Sequence, residues 1–124
     1  MDLACLRRVL LAKAGAVEEF PFDAVTLVVK VGGKMFALVG LDEEPLRLNL
    51  KCLPEQAEIL RQLYPAVIPG YHMNKRHWNT VILDGSLSDD DLLGMIDESY
   101  RLVVQGLPRG RRPNFLMTPQ GELR

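Results

Sequence analysis

The chain of 124 residues reads as one α+β domain of two layers, a mainly antiparallel sheet with helices packed on one face. Three observations predict it. The β-branched run Val25–Val31 is followed at once by Gly32-Gly33, a two-residue loop of the kind that closes a hairpin with positive φ, so 34–41 is expected as the return strand. Leu46-Arg47-Leu48-Asn49-Leu50-Lys51 alternates strictly between apolar and polar side chains, the pattern of a half-buried strand. Apolar residues recur at helical spacing near both ends of the chain.

The elements follow in order. Leu3, Leu6 and Leu10, with Val9 beside them, form a helical stripe that stops before Gly15. Glu18-Glu19-Phe20-Pro21-Phe22 reads as an acidic and aromatic loop leading into the hairpin. With a loop of Gly32 and Gly33 alone, Val29 pairs with Phe36 and Leu27 with Leu38 on the core face. Lys30 then pairs with Met35 and Val28 with Ala37 on the other face. Asp42–Pro45 supplies a turn before the alternating third strand. Pro54 opens a short helix carrying Ala57, Leu60, Leu63 and Tyr64, and Pro65 stops it. One or two strands lie between Val67 and Leu83, one of them over 77–83. Ser88 caps a last helix whose first turn holds Asp90 and Asp91 and whose stripe is Leu92, Ile96, Ser99, Tyr100 and Val103.

Composition excludes several classes. Hydrophobic residues make up 48% and charged residues 25%, which fits a folded globular chain and neither a disordered one nor a disulfide scaffold. The start lacks the shape of a signal peptide, and no apolar run approaches the roughly twenty residues that a membrane helix needs. A cytoplasmic protein without a membrane partner is expected. Cys5 and Cys52 stand far apart with no CxxC, so free thiols are expected. The net charge is −1, divided into about −4 over residues 1–107 and +3 over 108–124. The first part is read as the folded domain and the Arg- and Pro-bearing second part as a flexible extension.

A net charge near zero leaves room for a local cationic site. If Leu46, Leu48 and Leu50 face the helices, then Arg47, Asn49 and Lys51 project from the open face, and Lys30 joins them through the hairpin register. With Trp78 and Ile82 inward, His77 and Asn79 point outward as well, and Met35, Val28, Ala37 and Val39 make the rest of that face apolar. The bland alternative is that such cations only keep an open sheet soluble. The segment 69–79 is dense in unusual side chains: Lys75 and Arg76 suit phosphates, Tyr71 suits stacking, and His72, Asn74, His77 and Asn79 suit polar contacts. Its structural alternative has Tyr71 and Trp78 filling core while Asn74 and Asn79 hold turns. His72, His77 and Cys52 match no metal-ligand or nucleophile spacing, and Gly32-Gly33-Lys34 lacks the earlier glycine of a phosphate loop, so no cofactor, metal or catalytic residue is expected. Asp42-Glu43-Glu44 and Asp89-Asp90-Asp91 sit where turns and helix starts favour acids.

Val31-Gly32-Gly33-Lys34-Met35-Phe36-Ala37, Leu48-Asn49-Leu50-Lys51-Cys52 with Pro54, Pro69–Lys75 with His77-Trp78-Asn79-Thr80, and Ser99-Tyr100 together closely resemble the MmcQ/YjbR family of small bacterial proteins. The blocks span Phe20 to about Leu107; Lys13-Ala14-Gly15 and Asp23 depart from the family's usual pattern. The resemblance implies an α+β fold likened to frataxin and to type III secretion chaperones, with members commonly described as DNA-binding. The expectation is therefore a non-enzymatic protein that binds DNA through Lys30, Arg47, Asn49, Lys51, Tyr71, His72, Asn74, Lys75, Arg76, His77 and Asn79. The alternative is a protein-interaction or dimerisation module using the same face.

Overall fold

The computed structural model describes residues 1–70 and 73–113. Helix α1 (Leu3–Leu11) begins at Asp2, whose carboxylate accepts from the Cys5 N–H, and is followed by strands β1 (Val17–Glu19), β2 (Thr26–Val31), β3 (Lys34–Gly40) and β4 (Arg47–Lys51). Helix α2 (Pro54–Leu63), strands β5 (Val67–Pro69) and β6 (Trp78–Ile82) and helix α3 (Asp89–Gln105) complete the domain. The six strands form one sheet in the order β1-β2-β3-β4-β6-β5, every neighbouring pair antiparallel. The expected two-layer α+β architecture is what the chain adopts. Among the described residues no helix is long and apolar enough to cross a membrane.

The main core lies between sheet and helices, where Leu27, Val29, Phe36, Val39, Leu48 and Val81 meet Leu6, Leu10, Ile96 and Val103. Phe36 and Tyr100 stack edge to face at 5.3 Å, and the Tyr100 hydroxyl donates to the Ala14 carbonyl. Val28, Leu38 and Trp78 form a second, smaller cluster on the opposite face, with Met35 and Met73 packed against it. The open face is thus partly covered by its own apolar side chains.

Three details correct the sequence reading. Lys30 pairs with Met35 as expected, but Val29 pairs with Ala37, Val28 with Leu38 and Leu27 with Val39, because β3 carries an extra residue at Phe36. This bulge lets the consecutive Phe36 and Ala37 both join the helix-side core, and it moves Ala37 and Val39 off the open face. The Ser99 hydroxyl donates to the Phe36 carbonyl at 2.6 Å and accepts from the Lys51 N–H at 2.8 Å, so α3 satisfies the backbone groups where the β3–β4 ladder ends. Second, Val17–Glu19 is a short edge strand rather than a loop, held also by Arg7 of α1, which binds Glu18 through two hydrogen bonds. Third, residues beyond 107 continue against the domain: a 3₁₀ turn spans Arg109–Arg111, Arg112 donates to the Gln105 and Leu107 carbonyls, and Pro113 packs on Gly15. Residues 114–124, the remainder of the expected extension, lie outside the described residues.

Candidate nucleic-acid interface

Each connection of an antiparallel sheet emerges at the end opposite to the one before, so the register decides which loops meet. The β2–β3 hairpin, the C-terminus of β4 and the N-terminus of β6 share one end, through the pairings Val31–Lys34 and Lys51–Trp78. Leu107 and Arg111 sit against Gly32 at the hairpin tip, which brings the C-terminus of α3 and the turn after it to the same end. Gly32 has φ +58, and a Cβ there would stand 2.6 Å from Leu107 Cδ1, so the tip can seat this segment only as glycine. The opposite end collects the β1–β2, β3–β4 and β6–α3 connections, through Thr26–Gly40 and Arg47–Ile82.

This topology segregates charge. Lys34, Lys51, Lys75, Arg76, Arg109 and Arg111 gather at the first end, and among the described residues none of them has a carboxylate within ion-pairing distance. All but half-buried Lys51 are exposed. Two nearby carboxylates are already engaged, Glu19 by Lys30 at 3.0 Å and Glu98 by Arg101; Glu55 lies in the first turn of α2. Asp23, Asp42, Glu43, Glu44, Asp84 and the Asp89–Asp91 run occupy the second end. A molecule of net charge −1 therefore presents one strongly basic pole.

The expected site residues distribute unevenly over this frame. Lys51, Lys75 and Arg76 come together at the basic end. Lys30 lies there too but is paired with Glu19. His77 is half-buried beside them; its carbonyl accepts from the Cys52 N–H and its N–H donates to the Asn74 carbonyl. Asn74 holds the turn by accepting from the Arg76 N–H at 2.9 Å. Arg47 does not join them: it starts β4, four residues or about 13 Å from Lys51, at the acidic end, with Glu43 at 3.8 Å. Asn49 lies mid-face and accepts from the Thr80 hydroxyl at 2.5 Å.

Asn79 is overturned as a surface contact. It is 3% exposed and faces the helices, accepting from Arg61 Nε at 2.7 Å while its amide reaches the Ala57 carbonyl. Trp78 accordingly lies on the opposite face with Val28 and Leu38. Both faces of β6 are buried, so polarity could not reveal which residue pointed where. Tyr71 and His72 lie outside the described residues. The expected cations therefore do not form one open-face cluster: Lys51, Lys75 and Arg76 meet at the basic end and Arg47 lies at the other.

Sequence reasoning missed Lys34, which opens β3 at the hairpin tip, and Arg109 and Arg111, which follow the last helix. Counting connections, which alternate between ends, would have placed Lys34 with Lys51 and Lys75. Arg61 was also missed: besides Asn79 it binds the Lys75 and Trp78 carbonyls, fixing the segment that presents Lys75 and Arg76.

The open face retains a groove of about 550 Å³ lined by Phe22, Met35, Leu38, Met73, Asn49 and Thr80, with Asp42, Glu43 and Arg47 at its acidic end. Phe22 is 65% exposed at its edge.

Comparison with known proteins adds relatives. The model of the YjbR family matches residues 11–102. Escherichia coli (strain K12) YjbR, described as uncharacterized, is 39% identical over 112 residues, covering 90% of this chain and 95% of its own. Bacillus subtilis (strain 168) YyaQ, likewise described as uncharacterized, is 38% identical over 76 residues, 61% of this chain and 63% of its own. The crystal structure of Deinococcus radiodurans protein DR2400, with a domain of the DUF419 model, superimposes with a TM-score of 0.83 at 43% identity, covering 88% of this chain and 83% of that one.

Proposed function

This chain belongs to the YjbR family, and on that footing we propose that it is a non-enzymatic protein that binds the phosphate backbone of nucleic acid through its basic end. The observation that carries the reading is the convergence, on one pole of an otherwise acidic molecule, of six cations from four separate segments that have no ion pair among the described residues. Ion pairing would quench such cations in a merely solubilising surface, as it does for Lys30 and Arg47. Phosphate contacts carry most non-specific affinity, and this cluster provides them without requiring base readout. Nucleophilic chemistry has poor support: Cys52 is buried, and burial pushes its thiol above the ordinary range. A cytoplasmic location forms part of the proposal.

Fluorescence anisotropy with a labelled duplex tests it. The double variant Lys75→Glu/Arg76→Glu is expected to lose binding, while Arg47→Glu at the other end leaves it unchanged. Equal effects of the two would overturn the reading.

A second reading, pairing of two copies through the open-face groove, is favoured by exposed Phe22 beside Met35 and Met73. Light scattering decides it: a dimer that Phe22→Ser dissociates supports it, and a monomer at high concentration excludes it.

A further inference from the structure

The helix layer is not closed. Helix α2 lies over β5 and α3 over β3 and β4, leaving a cleft of about 470 Å³ between them on the opposite side of the sheet from the open-face groove. Its walls and floor are Leu50, Leu53, Leu60, Val67, Val81 and Met95, apolar residues that a fully packed layer would bury against one another. Leu53 remains 48% exposed at its rim.

Two further observations mark the cleft as kept open. Gly94 lies in the interior of α3 and lines it, yet its φ is ordinary and a Cβ there would meet nothing within 4 Å. Neither backbone conformation nor close packing requires glycine at this position, and a glycine inside a helix costs stability relative to alanine. Cys52 also lines the cleft; it is 5% exposed, with the Leu53 backbone N–H beside its thiol.

Charge along the cleft is asymmetric. Asp90 and Asp91 border it near the start of α3, and Tyr64 closes that side by donating its hydroxyl to Asp91 at 3.1 Å. Lys51 borders the other end, and Glu98 near it is engaged by Arg101. Asp90 forms no side-chain ion pair or hydrogen bond among the described residues.

We propose that this cleft binds a small aliphatic cation, its hydrocarbon chain along Leu50, Leu53, Leu60 and Met95 and its ammonium group at Asp90 and Asp91. The volume lies within the range of small-molecule sites, and an apolar wall with a few polar groups at one end is their usual construction. The inference stands apart from nucleic-acid binding, since Asp90 and Asp91, which hold the ammonium, lie at the end opposite to the basic one.

Octylammonium below its micelle concentration is the probe, with octanoate and octanol as charge controls, in a Cys5→Ser background that leaves Cys52 as the single thiol. Octylammonium is expected to slow the modification of Cys52 by a small thiol reagent at least tenfold at saturation, and octanoate to give no protection. Gly94→Leu fills the cleft and should abolish calorimetric binding of octylammonium. Asp90→Asn keeps the cavity and should weaken octylammonium several-fold while leaving octanol unchanged. Equal protection by octanoate, or undiminished octylammonium binding in Gly94→Leu with a native circular-dichroism spectrum, overturns the proposal.

Discussion

Replacing Lys51, Lys75 and Arg76 by alanine should change the salt dependence of nucleic-acid binding by an amount that the structure sets. Lys34, Lys51, Lys75, Arg76, Arg109 and Arg111 are six cations of the basic end without an ion pair among the described residues. With one counterion released per phosphate contact and about 0.9 per contact in the logarithmic slope, six contacts give a slope of about −5.4 on duplex DNA. Between 50 and 200 mM salt the wild type then loses about three decades of affinity. Three contacts remain in the triple variant, so its slope falls to about −2.7 and its loss over that range to about one and a half decades. Anisotropy titrations at five or six salt concentrations measure both slopes. Arg47→Ala is the internal control, because Arg47 sits at the acidic end beside Glu43 and should leave the slope unchanged. Coincident slopes for wild type and triple variant, or a comparable drop from Arg47→Ala, would refute the assignment of phosphate contacts to the basic end.

Other consequences concern the scaffold. Gly32→Ala is expected to cost about 2 kcal/mol or more, combining the left-handed backbone with contacts of 2.6 Å to Leu107 Cδ1 and 2.7 Å to the Arg111 carbonyl; Gly33→Ala, with open space around it, should cost about 1 kcal/mol, as urea denaturation would measure. Ser99→Ala leaves the Phe36 carbonyl and Lys51 N–H without their partner and should destabilise by about 2–4 kcal/mol in the same assay; a loss under about 1 kcal/mol would mean that water replaces the hydroxyl. Burial pushes the Tyr100 hydroxyl up to about 12 from an unfolded value near 10. The folded state therefore holds that proton more tightly, and the stability it represents is intact below pH 10 and lost as pH rises from about 10 to about 12. Urea midpoints of Tyr100→Phe against wild type across that window should show the wild type declining more steeply.

What the sequence made legible depended on whether polarity marked a face. In β4, Arg47, Asn49 and Lys51 are polar between three leucines, so strand, phase and core side could all be read, and Leu48 and Leu50 are buried as expected. In β3, Met35-Phe36-Ala37-Leu38 is apolar throughout, and nothing distinguishes a regular strand from one with an extra residue at Phe36. The same uniformity hid the phase of β6: Trp78 and Thr80 face one buried layer, Asn79 and Val81 the other, and a tryptophan was the natural guess for the larger core. Asn79 then became a surface candidate, whereas its side chain is tied to α2 through Arg61, a partner eighteen residues away that no local pattern announces. Independently, a face-based reading of β4 joined Arg47 to Lys51, although the chain sends them to opposite ends. Electrostatics in an antiparallel sheet is organised by connections as much as by faces. Lys34 at a hairpin tip, Lys51 at a strand end and Lys75 before a strand start each look like isolated turn cations, and alternating ends make them neighbours. The acidic turns Asp42–Glu44 and Asp89–Asp91 obey the same parity at the other end, so the basic pole arises from one topological rule applied to residues scattered over the whole chain.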